Sequence, residues 1–130
     1  MNTKLIMTST AILLGAIGVS LIFAPDMVVG LLQLNDSGVI RLILQLLGAA
    51  YYSFAMLNWM AKGALIGGIY NRPIATANLT HFLIGGLALT KAVLSNHQLP
   101  VFLSVLAGIY VIAACVFGFV ISRHPGAKTT

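Results

Sequence analysis

Charge is what this sequence has least of. Seven basic and two acidic residues make up 7% of its 130 positions, against about 25% in a soluble domain. With 59% of the residues hydrophobic, a water-soluble fold of this length would have to expose apolar surface it could not hide. A soluble globular domain is thereby excluded, and a bilayer is the solvent that suits the chain. The strict apolar–polar alternation of a spanning β-barrel is also missing. Helices remain, because each satisfies its own backbone hydrogen bonds within the hydrocarbon.

Other scarcities exclude particular chemistries. Cys115 is the only cysteine, so no intramolecular disulfide can form. It sits in an apolar run, and a small buried hydrophobe is the expected role rather than a reactive thiol. The only acids are Asp26 and Asp36, both between apolar runs, so an exporter built on a membrane-embedded carboxylate is not expected. His81, His97 and His124 fall on different segments without an acid or thiolate at ligand spacing, which argues against a metal site. A haem held by two facing histidines needs a second one at depth, and only His81 lies well inside a run. The glycines of Gly63–Gly68 lack the Lys-Ser/Thr of a phosphate-binding loop. No nucleophile–base pair is visible. No catalytic residue, metal or cofactor is therefore expected, and the chain leans away from an enzyme. The net charge of +5 comes from dispersed residues at segment ends, which fits orientation in a membrane better than nucleic-acid binding.

Four apolar runs are present, each near the 20 residues that a spanning helix needs. They cover about 5–24, 39–61, 73–95 and 100–122, in a single transmembrane domain spanning 1–130 without a convincing internal repeat. Pro25 ends the first run, which reads as a retained helix rather than a signal peptide because no small-x-small site closes it. Residues 26–34 are too short to cross. Asp26 can cap a new turn there, and Met27, Val28, Leu31 and Leu32 share a face, so an interfacial helix is expected. Asn35-Asp36-Ser37-Gly38 reads as a turn with capping oxygens. Pro73 and Pro100 open the third and fourth runs, with Asn96–Leu99 as a tight connection. The apolar loop from Gly63 to Arg72 is expected in the headgroup region, where Trp59 and Tyr70 would serve as interfacial aromatics. Arg123 and His124 suit a helix C-terminus, and Pro125–Thr130 is a short polar tail. The expected fold is all-α: an integral membrane four-helix bundle with a short interfacial helix between its first and second spans.

The remaining charges set an orientation. Lys4, Lys62, Arg72, Arg123 and Lys128 fall on one side without an acid. Arg41 and Lys91 fall on the other with Asp26 and Asp36. The positive-inside bias puts the first group, and with it both termini, in the cytoplasm. The bacterial cytoplasmic (inner) membrane is the expected location.

Small residues recur four apart: Ala11 and Gly15, Ser104 and Gly108, then Ala114, Gly118 and Ser122. Gly48 and Gly85 interrupt the second and third spans. In lipid, close backbone approach and interhelical hydrogen bonds hold helices together, so these are expected contacts, either inside the bundle or, on the fourth helix, with a second copy.

A polar stripe runs along the second span through Arg41, Gln45, Gly48, Tyr52, Ala55, Trp59 and Lys62, with Asn58 beside it. The third span carries Asn78 and His81, three apart. At about 1.5 Å per residue, His81 lies roughly 12 Å into its span. An antiparallel second span reaches that depth near Phe54, one turn from Tyr52, and Asn78 falls near the level of Asn58. Tyr52, Asn58, Asn78 and His81 are therefore the candidate intramembrane polar site. They can bond helices together, line a small site for a lipophile, or handle protons or electrons; spacing alone leaves all three open.

Between Leu42 and Lys91 the words Leu46-Leu47-Gly48-Ala49, Asn58-Trp59-Met60-Ala61-Lys62-Gly63, Tyr70-Asn71-Arg72-Pro73 and Asn78-Leu79-Thr80-His81-Phe82 resemble small bacterial membrane proteins of DoxX-like type. The resemblance implies the four-span architecture and suggests, as an alternative function, an oxidoreductase-associated or quinone-handling protein. The four-span eicosanoid and glutathione transferases are similar in size, but their intramembrane Arg, Asn and Glu pattern is missing here. The expected function is a non-enzymatic membrane protein that binds a lipophile or serves as an accessory subunit of a membrane complex. The alternatives are a quinone-handling or oxidoreductase-associated protein and a homo-oligomeric pore or transporter. Expected partners are membrane lipid and a second copy or larger membrane complex, without nucleic acid.

Overall fold

The computed structural model of the chain describes residues 2–64 and 71–122. The expected interfacial loop between Ala64 and Asn71 and the polar tail with Arg123 and His124 lie outside the described residues. The fold is all-helical: α1 is Thr3–Phe23, α2 Pro25–Leu31, α3 Gly38–Ala61, α4 Arg72–Ser95 and α5 Val101–Ser122. Four of these, all but α2, are long and apolar enough to cross a membrane. The chain divides into two compact units, Met1–Ala64 with α1–α3 and Leu65–Thr130 with α4 and α5.

In the first unit, α1 and α3 run antiparallel with their backbones almost touching. A Cβ on Gly18 would lie 2.7 Å from the Tyr52 amide nitrogen and 2.9 Å from the Gly48 carbonyl oxygen. One on Gly48 would lie 2.8 Å from Leu21 Cβ and 2.9 Å from the Gly18 oxygen. No side chain fits between helices at that separation, which is why glycine stands on both sides. A turn away, an added Cβ on Gly15 would meet Ala55 Cβ at 3.5 Å, an ordinary contact.

Asn2 caps α1 by accepting from the Leu5 amide. Pro25 has no amide hydrogen to continue α1 and instead starts α2. Near this break, the Gln45 side chain of α3 reaches the Ile22 carbonyl oxygen at 3.5 Å, where α1 has run out of its own donors. Ser37 caps α3 through the Ile40 amide.

Helix α2 departs from expectation in three ways. It ends at Leu31 rather than near Leu34, because Gln33 adopts a left-handed backbone with φ 53°. The Leu34 amide then bonds the Val29 carbonyl at 3.0 Å and the Gln33 amide the Gly30 carbonyl at 3.2 Å, the paired bonds of a Schellman stop. Its inward residues are Pro25 and Val29, with Val29 packed in a cluster with Leu21 and Leu44. Met27 and Leu31, expected on the same side as Val28 and Leu32, are exposed while those two are half-buried. Asp26 does not cap the helix. Its carboxylate instead meets Arg41 Nε at 3.0 Å.

In the second unit, α4 and α5 also run antiparallel, joined at Asn96, whose side chain accepts from the Gln98 amide. Here the helices are separated by aromatic rings. Tyr110 of α5 fills the notch left by Gly85, where a Cβ would lie 2.7 Å from the ring. Phe82 stacks on Phe117, with centroids 5.8 Å apart, and meets Tyr110 edge-on at 5.0 Å. Small residues on α5 contribute less than their spacing promised: a Cβ on Gly108 would meet nothing within 4 Å, and Ser104 is exposed. Cys115, expected to be buried, is exposed, on the face of α5 turned away from Tyr110 and Phe117.

Candidate functional site

The four candidate residues divide between the units. Tyr52 and Asn58 belong to α3, Asn78 and His81 to α4. Along α3 the six positions from Tyr52 to Asn58 turn the helix by about 240°, so the two cannot share a face. Asn58 is fully buried, whereas Tyr52 is 45% exposed. The polar stripe of α3 therefore straddles the edge of the α1 contact: Gly48 and Ala55 are buried in it, Gln45 and Tyr52 touch α1 at its rim with exposed side chains, and Arg41 and Trp59 are exposed.

On α4 the two residues play different parts. Asn78 is fully buried and donates from Nδ2 to the Ile74 carbonyl at 2.9 Å. That bond to the preceding turn satisfies part of an amide that would be costly to bury without partners. His81, half-buried one turn on, puts Nε2 3.2 Å from the hydroxyl oxygen of Tyr110. Which of the two donates depends on the imidazole tautomer. Tyr110 is 1% exposed. The pair is enclosed by rings: His81 stands edge-on to Phe82 at 5.1 Å, and Phe82 is itself sealed by Phe117. The result is one imidazole and one phenol held at fixed separation in apolar surroundings.

Sequence reading missed Tyr110. The signal was available: it is the only residue between Val101 and Ser122 with a hydrogen-bonding ring, and folding a hairpin about Asn96–Pro100 brings it level with Gly85 and Gly86, one turn from His81. Charged groups lie elsewhere. Among the described residues no group of three His, Cys, Asp or Glu is placed to hold a metal ion. Among the described residues the ion pairs are at the α2–α3 end, where Arg41 binds Asp26 and, through Nε at 2.7 Å and through Nη2, Asp36. The hydrogen bond from Arg41 holds the Asp36 carboxyl below the ordinary value of 3.8. Lys62 at the other end of α3 lies 3.1 Å above the Trp59 ring centroid, a cation–π contact.

An imidazole–phenol pair can donate to or accept from a ligand's polar group, and the rings around it match an apolar body. No family model matches the chain, and neither a curated protein nor a solved structure does.

Proposed function

We propose that this multi-pass protein resides in a bacterial cytoplasmic membrane, with both terminal segments on the cytoplasmic side, and binds a lipophile with a polar end at the His81–Tyr110 pair without catalysing a reaction. The observation that carries the proposal is the hydrogen bond between His81 and Tyr110 inside a shell of aromatic rings. A membrane site for a lipophile needs few polar groups, fixed in place, on an apolar wall. The resemblance to DoxX-like proteins makes an isoprenoid quinone the first lipophile to test.

Native mass spectrometry of the protein released from mild detergent tests the reading. Wild type should retain an adduct of quinone or lipid mass. His81→Ala and Tyr110→Phe should lose it while keeping the helical circular dichroism and melting cooperatively. An adduct kept at wild-type occupancy by both variants would overturn the assignment.

A further inference from the structure

Packing within the second unit sets where the hydroxyl that His81 meets is placed. Tyr110 sits in the notch of Gly85, where a Cβ would lie 2.7 Å from its Cε1 and 2.9 Å from its Cδ1, and Phe82 meets it edge-on from α4. His81 stands four residues before Gly85, so the imidazole and the notch share a face of α4. The imidazole is tilted 49° to the phenol ring, with centroids 5.5 Å apart, and the contact runs through Nε2 at 3.2 Å. A neutral imidazole has one nitrogen that donates and one that accepts, and the bond made by one decides the state of the other. A phenol O–H is a stronger donor than an imidazole N–H, and an imidazole nitrogen is a stronger acceptor than a phenol oxygen. The stronger bond therefore runs from the Tyr110 hydroxyl to Nε2. The proton then sits on Nδ1, on the flank of the ring turned away from Tyr110.

We infer that Tyr110 is a positioning residue that holds His81 as the Nδ1–H tautomer, so that the lipophile bound at the pair is carbonyl-ended, a ketone, ester or oxidised quinone, rather than an alcohol or quinol. The inference rests on the binding proposed for the pair and names the ligand class. A ligand at this imidazole meets an N–H. A carbonyl oxygen accepts it and brings no hydrogen of its own. A hydroxyl can also accept, but its own hydrogen then needs an acceptor, and the Phe82 ring, 5.1 Å from the imidazole, has no oxygen or nitrogen to offer. Stranding that hydrogen in apolar surroundings is costly, enough for about a five-fold or larger preference for the carbonyl. With the opposite tautomer the imidazole would present a bare nitrogen, and the preference would reverse.

Nitrogen NMR of the full chain with isotope-labelled histidine reads the tautomer, in detergent at about pH 8.5, where an imidazole is neutral. His81→Ala identifies the His81 signals by their loss. Wild type should carry the proton on Nδ1. Tyr110→Phe should move it toward Nε2, the nitrogen that a free histidine protonates, while melting stays cooperative. Native mass spectrometry reads the ligand class, with a long-chain methyl ketone and the deuterated secondary alcohol of the same skeleton offered together. Wild type should retain the ketone about five-fold or more over the alcohol. A proton on Nε2 in wild type, or a tautomer indifferent to Tyr110→Phe, would overturn the inference. Alcohol retained as well as the ketone would overturn it and leave binding at the pair intact. Retention of neither probe would overturn the binding itself and the ligand class with it.

Discussion

The two units close their hairpins by opposite means. In α1–α3, glycine faces glycine and the backbones themselves are in contact at Gly18 and Gly48. In α4–α5, a glycine faces a ring, and Tyr110, Phe82 and Phe117 occupy the seam. At the glycine contact the first solution has no room for any side chain, its buried polar groups, Thr10 and Asn58, lie away from that contact, and the charged groups of that unit stand at its ends. The second trades backbone proximity for a layer of side chains thick enough to hold an imidazole and a phenol. The looser seam holds a facing pair of hydrogen-bonding rings, and the tighter one holds backbone against backbone.

The sharpest way to break the comparison is to put leucine into each seam. Gly48→Leu meets the Gly18 carbonyl oxygen and Leu21 Cβ, which cannot swing aside, as well as Ile22 Cγ1, so it should destabilise the first unit by several kcal/mol, about 3 or more. Gly85→Leu meets a ring that can swing aside and should cost less, about 1–3 kcal/mol, while breaking the His81 contact. Thermal melts in detergent, with leucine at exposed Ile84 as reference, would measure both. Equal losses would mean the seams do not differ in kind. Next in size, Tyr110→Phe keeps the ring and deletes one hydroxyl. It should cost about 0.6–2 kcal/mol, read by chemical denaturation in detergent.

The charged end of the first unit can be probed by pH. Asp36 is held below 3.8 by its hydrogen bond from Arg41. Its contribution is thus fully present above pH 3.8 and is lost as pH falls through its lower folded value. Wild type should melt earlier as pH drops through that window, and Asp36→Asn should remove this part of the dependence. Both groups are solvent-exposed, so the effect should be small and should shrink in high salt. Smallest of all is Gln33→Gly, which relieves a left-handed backbone at the α2 stop. A gain of about 0.5–1 kcal/mol is expected, and a loss would show that the Gln33 side chain matters.

The sequence carried the spans because composition and length decide what a bilayer accepts. It also carried Gly48 and Gly85, since a glycine inside an apolar helix has few reasons besides contact. The end of α2 was illegible: a Schellman stop normally announces itself with glycine, and here Gln33 fills the position. The opposed faces of Tyr52 and Asn58 were blurred because a three-four stripe lies close to the edge between contact and lipid. Gly18 and Tyr110 escaped because each matters only through a partner on another helix. One strand of apolar sequence gives no sign of which neighbour it will meet.

The double grip on Arg41 has a consequence for an energised membrane. Two carboxylates on one guanidinium leave the α2–α3 end with one net negative charge. In the proposed orientation that charge faces the positive side of the membrane potential. Carrying it to the cytoplasmic side would work against the field by about 2.3 kcal/mol per 100 mV. The potential then adds to the hold that Lys4 and Lys62 give at the other end of the hairpin, and a mutant that loses Asp26 or Asp36 gives up this share of it.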